Sequence, residues 1–335
     1  MAAHSSSGTI AAKRLGSGNL VHAFLLWREA GIIIVAVVLG LYFWIVNANF
    51  ISNDNLQTLS QFIAAWVIIG CGEIMLLICG EIDLSVGNLY AMAPFLMNFA
   101  YQAGLPLPLA IVAALVVCAA IGFVNGFISV RLEVPSFVTT LGMLFILNGL
   151  TLTISRGFPV TTPGSPIFAA VMGAWGYSEI LWALAVVLLM HIVLRHTRWG
   201  LHTIALGGNT VGASEAGINV DRLRIGNFML TSVLGGFTGI IEAFRIGSTD
   251  PLAGGTTVMF LAVASGVIGG TSLAGGSGTI LGGFVGALVL GILQDGFTLQ
   301  GINAFTFDMI IGGAILVAMI SNVRLAKLRG AGGRK

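Results

Sequence analysis

The chain reads as an all-α polytopic membrane protein, and three observations lead there. Hydrophobic residues make up 56% of its 335 positions and charged residues 8%, too little charge to coat a water-facing globule of this size. The apolar residues gather in runs of roughly 20, long enough to cross a bilayer as helices, and do not alternate as barrel strands would. Hydrocarbon offers backbone groups no partner, so helices are the remaining way to span. Basic residues, finally, divide unevenly between the loops that these runs define.

The first 28 residues are polar and rich in Ser, Gly and Ala. The run that follows is long enough to span rather than to be a cleaved signal's core. Division at Pro, Gly and charge clusters gives about ten candidate transmembrane helices: 30–46, 57–79, 85–102, 107–130, 137–155, 178–194, 225–246, 256–272, 278–298 and 305–322. Between the eighth and ninth, Gly269, Gly270, Gly275, Gly276 and Gly278 mark either a turn or a broken, re-entrant helix. The organisation expected is a tail over 1–29, one transmembrane domain over 30–322 and a basic tail over 323–335.

With the N-terminus inside, Lys13, Arg14, Arg28, Arg131, Arg195, Arg198, Arg222, Arg224, Arg324, Lys327, Arg329, Arg334 and Lys335 fall on the cytoplasmic side. Arg156 and Arg245 fall outside. Cytoplasmic loops retain basic residues, so this split supports ten spans with both termini in the cytoplasm. Asp54, Glu179, Glu242, Asp250, Asp295 and Asp308 fall at or near outer span ends. Either carboxylates simply tolerate translocation, or they form a polar vestibule that accepts hydrogen bonds from a hydroxyl-rich solute. Glu242 and Arg245, three apart on one helix, can also pair with each other.

Cys71, Cys79 and Cys118 lie inside apolar runs without the spacing of a metal site or a disulfide framework, so they read as small buried hydrophobes. GxxxG spacing occurs at Gly122/Gly126, Gly235/Gly239, Gly266/Gly270 and Gly282/Gly286. Small residues one turn apart let helix backbones approach closely; hinge surfaces are the other reading. Residues 125–137 align with 295–307, sharing the Gly-Phe pair and the last Phe. The two stretches cross in opposite directions, as an inverted repeat of two halves requires.

The segment 195–224 is far longer than a simple turn between spans needs. It ends in SEAGINVDRLRIG, where Ser214 can cap a short helix carrying Glu215, Ala216 and Gly217, with Ile218 and Val220 as exposed apolar anchors. Such an element suits docking into another protein's groove; an ordinary structured loop is the plainer alternative. There is no GxxxxGK[ST] loop, and Lys13, Lys327 and Lys335, the only lysines, lie in the tails, so the chain offers no recognisable nucleotide site. HExxH and GxSxG are also missing, which removes the commonest reasons to expect an intramembrane hydrolase. His191, His196 and His202 do not converge on one helix face, and no metal site is expected.

Four motifs taken together resemble the permeases of ribose- and xylose-type ABC sugar importers: Gly80–Gly87 (GEIDLSVG), Asn125–Leu141 (NGFISVRLEVPSFVTTL), Gly207–Val220 (GGNTVGASEAGINV) and Gly269–Gly276 (GGTSLAGG), followed by Gly278 and Gly282. The resemblance covers nearly the whole chain after the first span. It implies that Glu215, Ala216 and Gly217, within Ser214–Val220 including Asn219, couple to an ATPase subunit that holds the ATP and Mg. It also implies two permease subunits, as a homo- or heterodimer, around one solute path, in the bacterial inner membrane. Glu81 departs from the family, which favours a small residue there.

Expected roles follow. Asp83 and Ser85 can cap the third span, and Gly87 and Pro94 can loosen it, which leaves capping and gating both open for this motif. Asn125, Phe137, Asn148, Thr151 and Asp308 are path-lining candidates, being polar or aromatic groups within spans. Arg156, Arg245 and Asp250 are candidate charges for docking a periplasmic binding protein. The chain itself carries no cofactor, performs no covalent chemistry and has no nucleic-acid partner in prospect. The cargo expected is a monosaccharide, with a nucleoside or signalling furanose as alternative. A proton-coupled secondary transporter using Glu73, Glu242 or Asp308 is the reading from a different class, and a non-transporting scaffold is a third.

Overall fold

The computed structural model describes residues 29–303 together with 306, 309–317 and 320. The tails with their basic residues, and the path candidate Asp308, lie outside the described residues. In chain order come α1 (Ala30–Val46), a 3-10 turn (Ala48–Ile51), α2 (Asn53–Ile78), α3 (Val86–Gln102), α4 (Leu107–Arg131) and α5 (Ser136–Ser155). Then follow β1 (Val160–Thr161), α6 (Pro166–Ala169), a π-helical turn (Ala170–Ala174), α7 (Ser178–His196), α8 (Arg198–Gly208), α9 (Thr210–Glu215) and α10 (Val220–Ile246). β2 (Ser248–Thr249), α11 (Gly255–Ile268) and α12 (Ile280–Leu299) complete the series. Residues 309–317, within the last candidate span, are helical.

Among the described residues, α2, α4, α5, α7, α10 and α12 are long and apolar enough to cross a membrane, so the chain is a multi-pass helical membrane protein. α2 is the axis of the bundle: 83% of its most apolar stretch is buried, against 28% for α5. The exposed apolar residues of α5, among them Phe137, Phe145 and Ile146, suit lipid as solvent, not water.

Lipid tails are as apolar as leucine, so the helices are held by close packing rather than by apolar burial. The glycine pairs do that work. A side chain at Gly122 would strike Phe228 and Met229, and one at Gly126 would strike Ile225, which seats α4 on α10. Gly235 and Gly239 lie against the backbones of Val86 and Tyr90, seating α10 on α3, and Gly282 and Gly286 lie against Gly269 and Ser265, seating α12 on α11. The fourth pair is different. Gly266 packs on Ile74, but Gly270 has φ 89° and follows the end of α11.

Two helix ends depart from the spans expected from sequence. α11 has 14 residues, about 21 Å at 1.5 Å per residue, short of the roughly 30 Å hydrocarbon core. Residues 269–279 then turn, with positive φ at Gly270, Gly275 and Gly276, and Gly276 N donates to the Ile78 carbonyl (2.9 Å). The glycine cluster is thus a turn packed on the end of α2, and the broken part precedes α11 instead of following it. α2 begins earlier than expected and ends at Ile78, and beyond it Asp83 N reaches back to Glu73 Oε2 (3.5 Å). Residues 79–85 therefore double back along α2 before α3 begins. The starts of α3 and α11 meet inside the bundle, where Gly87 lies directly against the Gly255 carbonyl and Gly254 against the Tyr90 ring.

The two-residue strands form an antiparallel ribbon, Val160 with Thr249 and Thr161 with Ser248, that was not foreseen from sequence. It ties the long connection after α5 to the segment leading into α11. The ribbon marks one end of the bundle, and α8, α9 and the 269–279 turn mark the other.

A contrast of two glycines tests this packing. Gly239→Ala places a methyl against the Tyr90 backbone and is expected to cost about 1–3 kcal/mol, lowering the thermal midpoint in detergent. Gly149→Ala, with open space around it, is expected to be neutral or to stabilise by about 0.5–1 kcal/mol.

Candidate transport site

The GEIDLSVG segment places a carboxylate, fully enclosed, among donors from three elements. Asp83 Oδ1 accepts from Ser85 N (2.9 Å) and Ser85 Oγ (2.6 Å). Asn125 Nδ2 on α4 approaches both Asp83 oxygens (3.4 and 3.3 Å) and donates to Ser85 Oγ (2.9 Å), while Ser232 Oγ on α10 lies 3.5 Å from Oδ2. Asp83, Ser85, Asn125 and Ser232 are all fully buried. The capping expected of this motif is not what forms: Ser85 occupies the N-cap position of α3 but makes no side-chain capping bond, because its hydroxyl is spent on Asp83. The carboxylate fastens the doubled-back segment to α4 and α10.

Beside this network, α3 and α11 present N-termini without side-chain caps, at Ser85 and Gly254. Free amides and the positive dipole end at a helix start suit oxygen-rich ligands. A small cavity opens there, lined by Asn88, Ala91, Asn148, Thr151, Pro251, Leu252, Ala253 and Gly255. Thr151 is buried, and its hydroxyl has no hydrogen-bond partner. Of the path candidates, Asn148 and Thr151 line this cavity. Asn125 belongs to the Asp83 network, and Phe137 is 57% exposed on the outside of α5, a position that fits lipid contact better than path lining. Asn88 was missed because a single Asn one turn into a span carries no periodic signal; its side chain donates to the Leu144 carbonyl (2.5 Å).

The segment 195–224 folds as two short helices and the start of α10. Ser214 does not cap: it lies within α9, whose cap is Asn209, accepting from Gly212 N (2.9 Å). Gly217 (φ 82°) ends the turn, and Asn219 caps α10 by accepting from Arg222 N (2.9 Å). Ser214, Glu215, Ala216 and Gly217 are exposed. Ile218 and Val220 are not free anchors, since they pack on the cluster of Cys79, Leu206, Ala213 and Leu223. The exposed large apolar side chains of the segment are Leu201 and Val211, 53% and 68% accessible.

At the ribbon end, Arg245 is occupied. It donates to both oxygens of Glu242 and lies 3.4 Å from Glu179, whose side chain is 4% exposed. Its expected docking role gives way to holding α7 and α10 together. Arg156 ends α5 in the left-handed region (φ 55°) and is exposed, as is Asp250, which accepts from Leu252 N (2.9 Å). Asp295 accepts from Asn55 (2.6 Å). The His191 and His196 rings do meet, edge-on at 6.2 Å. All three cysteines are free and buried, and no group of metal-binding side chains occurs among the described residues.

Residues 55–320 match the family described as the permease component of the branched-chain amino acid transport system. The chain belongs to this permease family. It is 38% identical to the xylose/arabinose import permease of Sulfolobus acidocaldarius over 90% of this chain and 85% of the relative. It is 34% identical to the ribose import permease of Escherichia coli, over 86% and 90%, and 29% identical to the fructose import permease of Rhizobium meliloti, over 88% and 86%. No solved structure matches. The permease family places the resemblance drawn from the four motifs on a footing that covers most of the chain.

Arg245→Met leaves two carboxylates facing each other without a cation. Loss of about 1–3 kcal/mol is expected, as for removing one partner of a partly buried charged hydrogen bond, read as a lower thermal midpoint that Glu242→Gln in the same chain partly restores.

Proposed function

We propose that this chain is the membrane-spanning permease subunit of an ABC importer that carries a monosaccharide, a pentose or hexose or a related polyol, across the cytoplasmic membrane. The observation that carries the reading is the meeting of two uncapped helix starts beside a cavity furnished with Asn88, Asn148 and the unpartnered Thr151 hydroxyl. Amides and hydroxyls of this kind offer hydrogen bonds to a neutral, hydroxyl-rich solute without requiring charge on it. Import permeases for xylose/arabinose, ribose and fructose among the relatives support a sugar cargo over a nucleoside.

The energy is supplied by a separate ATPase subunit, which binds ATP and Mg and docks on Ser214–Gly217 at the end of α9. Both termini then lie in the cytoplasm, the ribbon end faces outward, and Arg156 and Asp250 are the exposed charges available to a solute-binding protein. A second permease subunit completes the path. The ten spans form two inverted halves: the aligned stretches 125–137 and 295–307 relate the fourth span to the ninth. The broken starts of α3 and α11 relate the third to the eighth with the same offset and reversal. Transport proceeds by shifting the population between outward- and inward-open arrangements.

Reconstituted with its ATPase and binding protein, the chain is expected to show solute-stimulated ATP hydrolysis that Glu215→Lys abolishes. Thr151→Val is expected to reduce uptake about threefold to tenfold, the effect of losing one hydrogen bond of roughly 0.5–1.5 kcal/mol, measured as radiolabelled sugar accumulated in proteoliposomes. Uptake by the chain alone, or uptake that an uncoupler collapses while ATP is held constant, would overturn the assignment.

A further inference from the structure

Glu81 is the residue at which the chain departs from the GEIDLSVG pattern of the permeases it resembles, and the structure gives it a partner. Its Oε1 lies 3.4 Å from Nε of Arg224, with the two side chains 15% and 25% exposed. The approach is an ion pair rather than an aligned hydrogen bond, since Arg224 Nε makes no hydrogen bond. Arg224 stands one turn into α10, just after the exposed Ser214–Gly217 surface and the Asn219 cap. Glu81 stands two residues before Asp83. The pair therefore spans the gap between the cytoplasmic docking helices and the doubled-back segment that leads to the cavity.

Other contacts bind the same two bodies. Asn227, one turn beyond Arg224, donates to Cys79 Sγ (3.1 Å) and to Thr203 Oγ1 on α8 (3.3 Å), and accepts from Trp199 Nε1 on α8 (2.8 Å). Cys79 packs with Leu206, Ala213 and Leu223, and Gly207 lies directly against the Ile78 carbonyl. Residues 78–81, α8, α9 and the first turns of α10 are thus joined through α2's end into one unit. From Ile82 on, the chain is held by α5, where Ser136 Oγ accepts from Ile82 N (3.4 Å), by Glu73 of α2, which accepts from Asp83 N (3.5 Å), and by the Asp83 network, whose Ser232 lies two turns beyond Arg224 on α10. The boundary between the two sets of contacts falls between Glu81 and Ile82.

We infer that the Glu81–Arg224 pair is a strap that pulls the doubled-back segment when the ATPase moves the docking helices, so that Glu81 and Arg224 are positioning residues for transport rather than contacts of solute or ATPase. The inference rests on the importer reading. Movement of α9 shared with residues 78–81 acts on Asp83 through a connection of two residues, in addition to the Ser232 contact from α10. Among the described residues, the other ion pair at this junction is the more exposed Arg131–Asp221 bridge, whose side chains are 58% and 37% exposed. That bridge joins α4 to α10 without touching the doubled-back segment.

The test uses the full permease, ATPase and binding protein in proteoliposomes, with ATP hydrolysis and sugar uptake measured on the same vesicles. Glu81→Gln and Arg224→Gln are expected to keep the ATPase bound and hydrolysing, while the sugar moved per ATP falls about tenfold or more, as for loss of one partner of a partly buried pair. The exchange Glu81→Arg with Arg224→Glu is expected to restore the ratio. Uptake and hydrolysis falling together, or a ratio unchanged in the single variants, would overturn the strap. Should the single variants fail to fold, the exchange decides alone: a restored ratio supports the strap and an uncoupled one overturns it. Failure of the unsubstituted complex to hydrolyse ATP in response to sugar would instead sink the importer reading.

Discussion

A backbone that leaves the helix inside a membrane must find new hydrogen-bond partners there, and the rest of this structure is arranged around that requirement at residues 79–85. The hydrocarbon supplies none, so protein groups must. The Glu81 amide turns back to Leu76 O (3.0 Å), Ile82 N finds Ser136, Asp83 N finds Glu73, and Ser85 N finds Asp83. The partners come from α2, from α5 and from the segment itself, and Asp83 in turn draws Asn125 of α4 and Ser232 of α10 to the same point. Glycine makes the convergence possible, because Gly72, Gly122, Gly126, Gly235 and Gly239 bring those backbones closer than any side chain would allow.

Two carboxylates in such a place are expensive, and the structure treats them differently. Asp83 has donors from Ser85, Asn125 and Ser232, and acts as a knot of polar groups. Glu73 has one long approach from Asp83 N and a second oxygen without a partner. By contrast, the acidic groups near the ribbon end are tied by Arg245, which serves Glu242 and Glu179 together. Charge is therefore neutralised by a cation where α7 meets α10 and dispersed over hydroxyls and amides at the Asp83 knot. The side chains that line the cavity, Asn88, Asn148 and Thr151 among them, carry no charge to attract ions, which suits a neutral solute.

Much of the helical layout was legible because the boundaries are written in proline, glycine and charge. Pro106 and Pro135 sit immediately before α4 and α5, and those helices begin within a residue of the expected start. What failed has a common physical cause. Hydropathy measures preference for lipid and says nothing of whether an apolar stretch is helical throughout. Residues 269–272 continued the apolar run of the eighth span, although the glycines after Ile268 end the helix, and the doubled-back residues 79–85 looked like an ordinary turn. Asn148 and Thr151, chosen because polarity within a span demands a reason, line the cavity. Phe137, chosen by the same rule, is exposed on the outside of α5, since an aromatic ring is as content in lipid as in a path. Asn88 and the Glu81–Arg224 pair depend on contacts distant in sequence that no local pattern encodes.

The two broken helices also constrain what motion this scaffold permits. α3 and α11 touch at Gly87 and Gly255 with no side chain between them, so neither start can advance toward the other. The permitted movements are sliding and separation. Separation would widen the cavity beside Asn88 and Thr151, but it must strain either the ribbon that holds the approach to α11 or the Asp83 knot that holds the approach to α3. The ribbon has only two residues per strand, and with Thr161 exposed and Val160 and Ser248 half-buried, water can reach part of it to replace a broken backbone bond. The knot is fully buried, and its bonds have no such replacement. Opening from the ribbon end is therefore the less costly of the two, while opening from the other end requires work delivered to residues 79–85 through the docking helices.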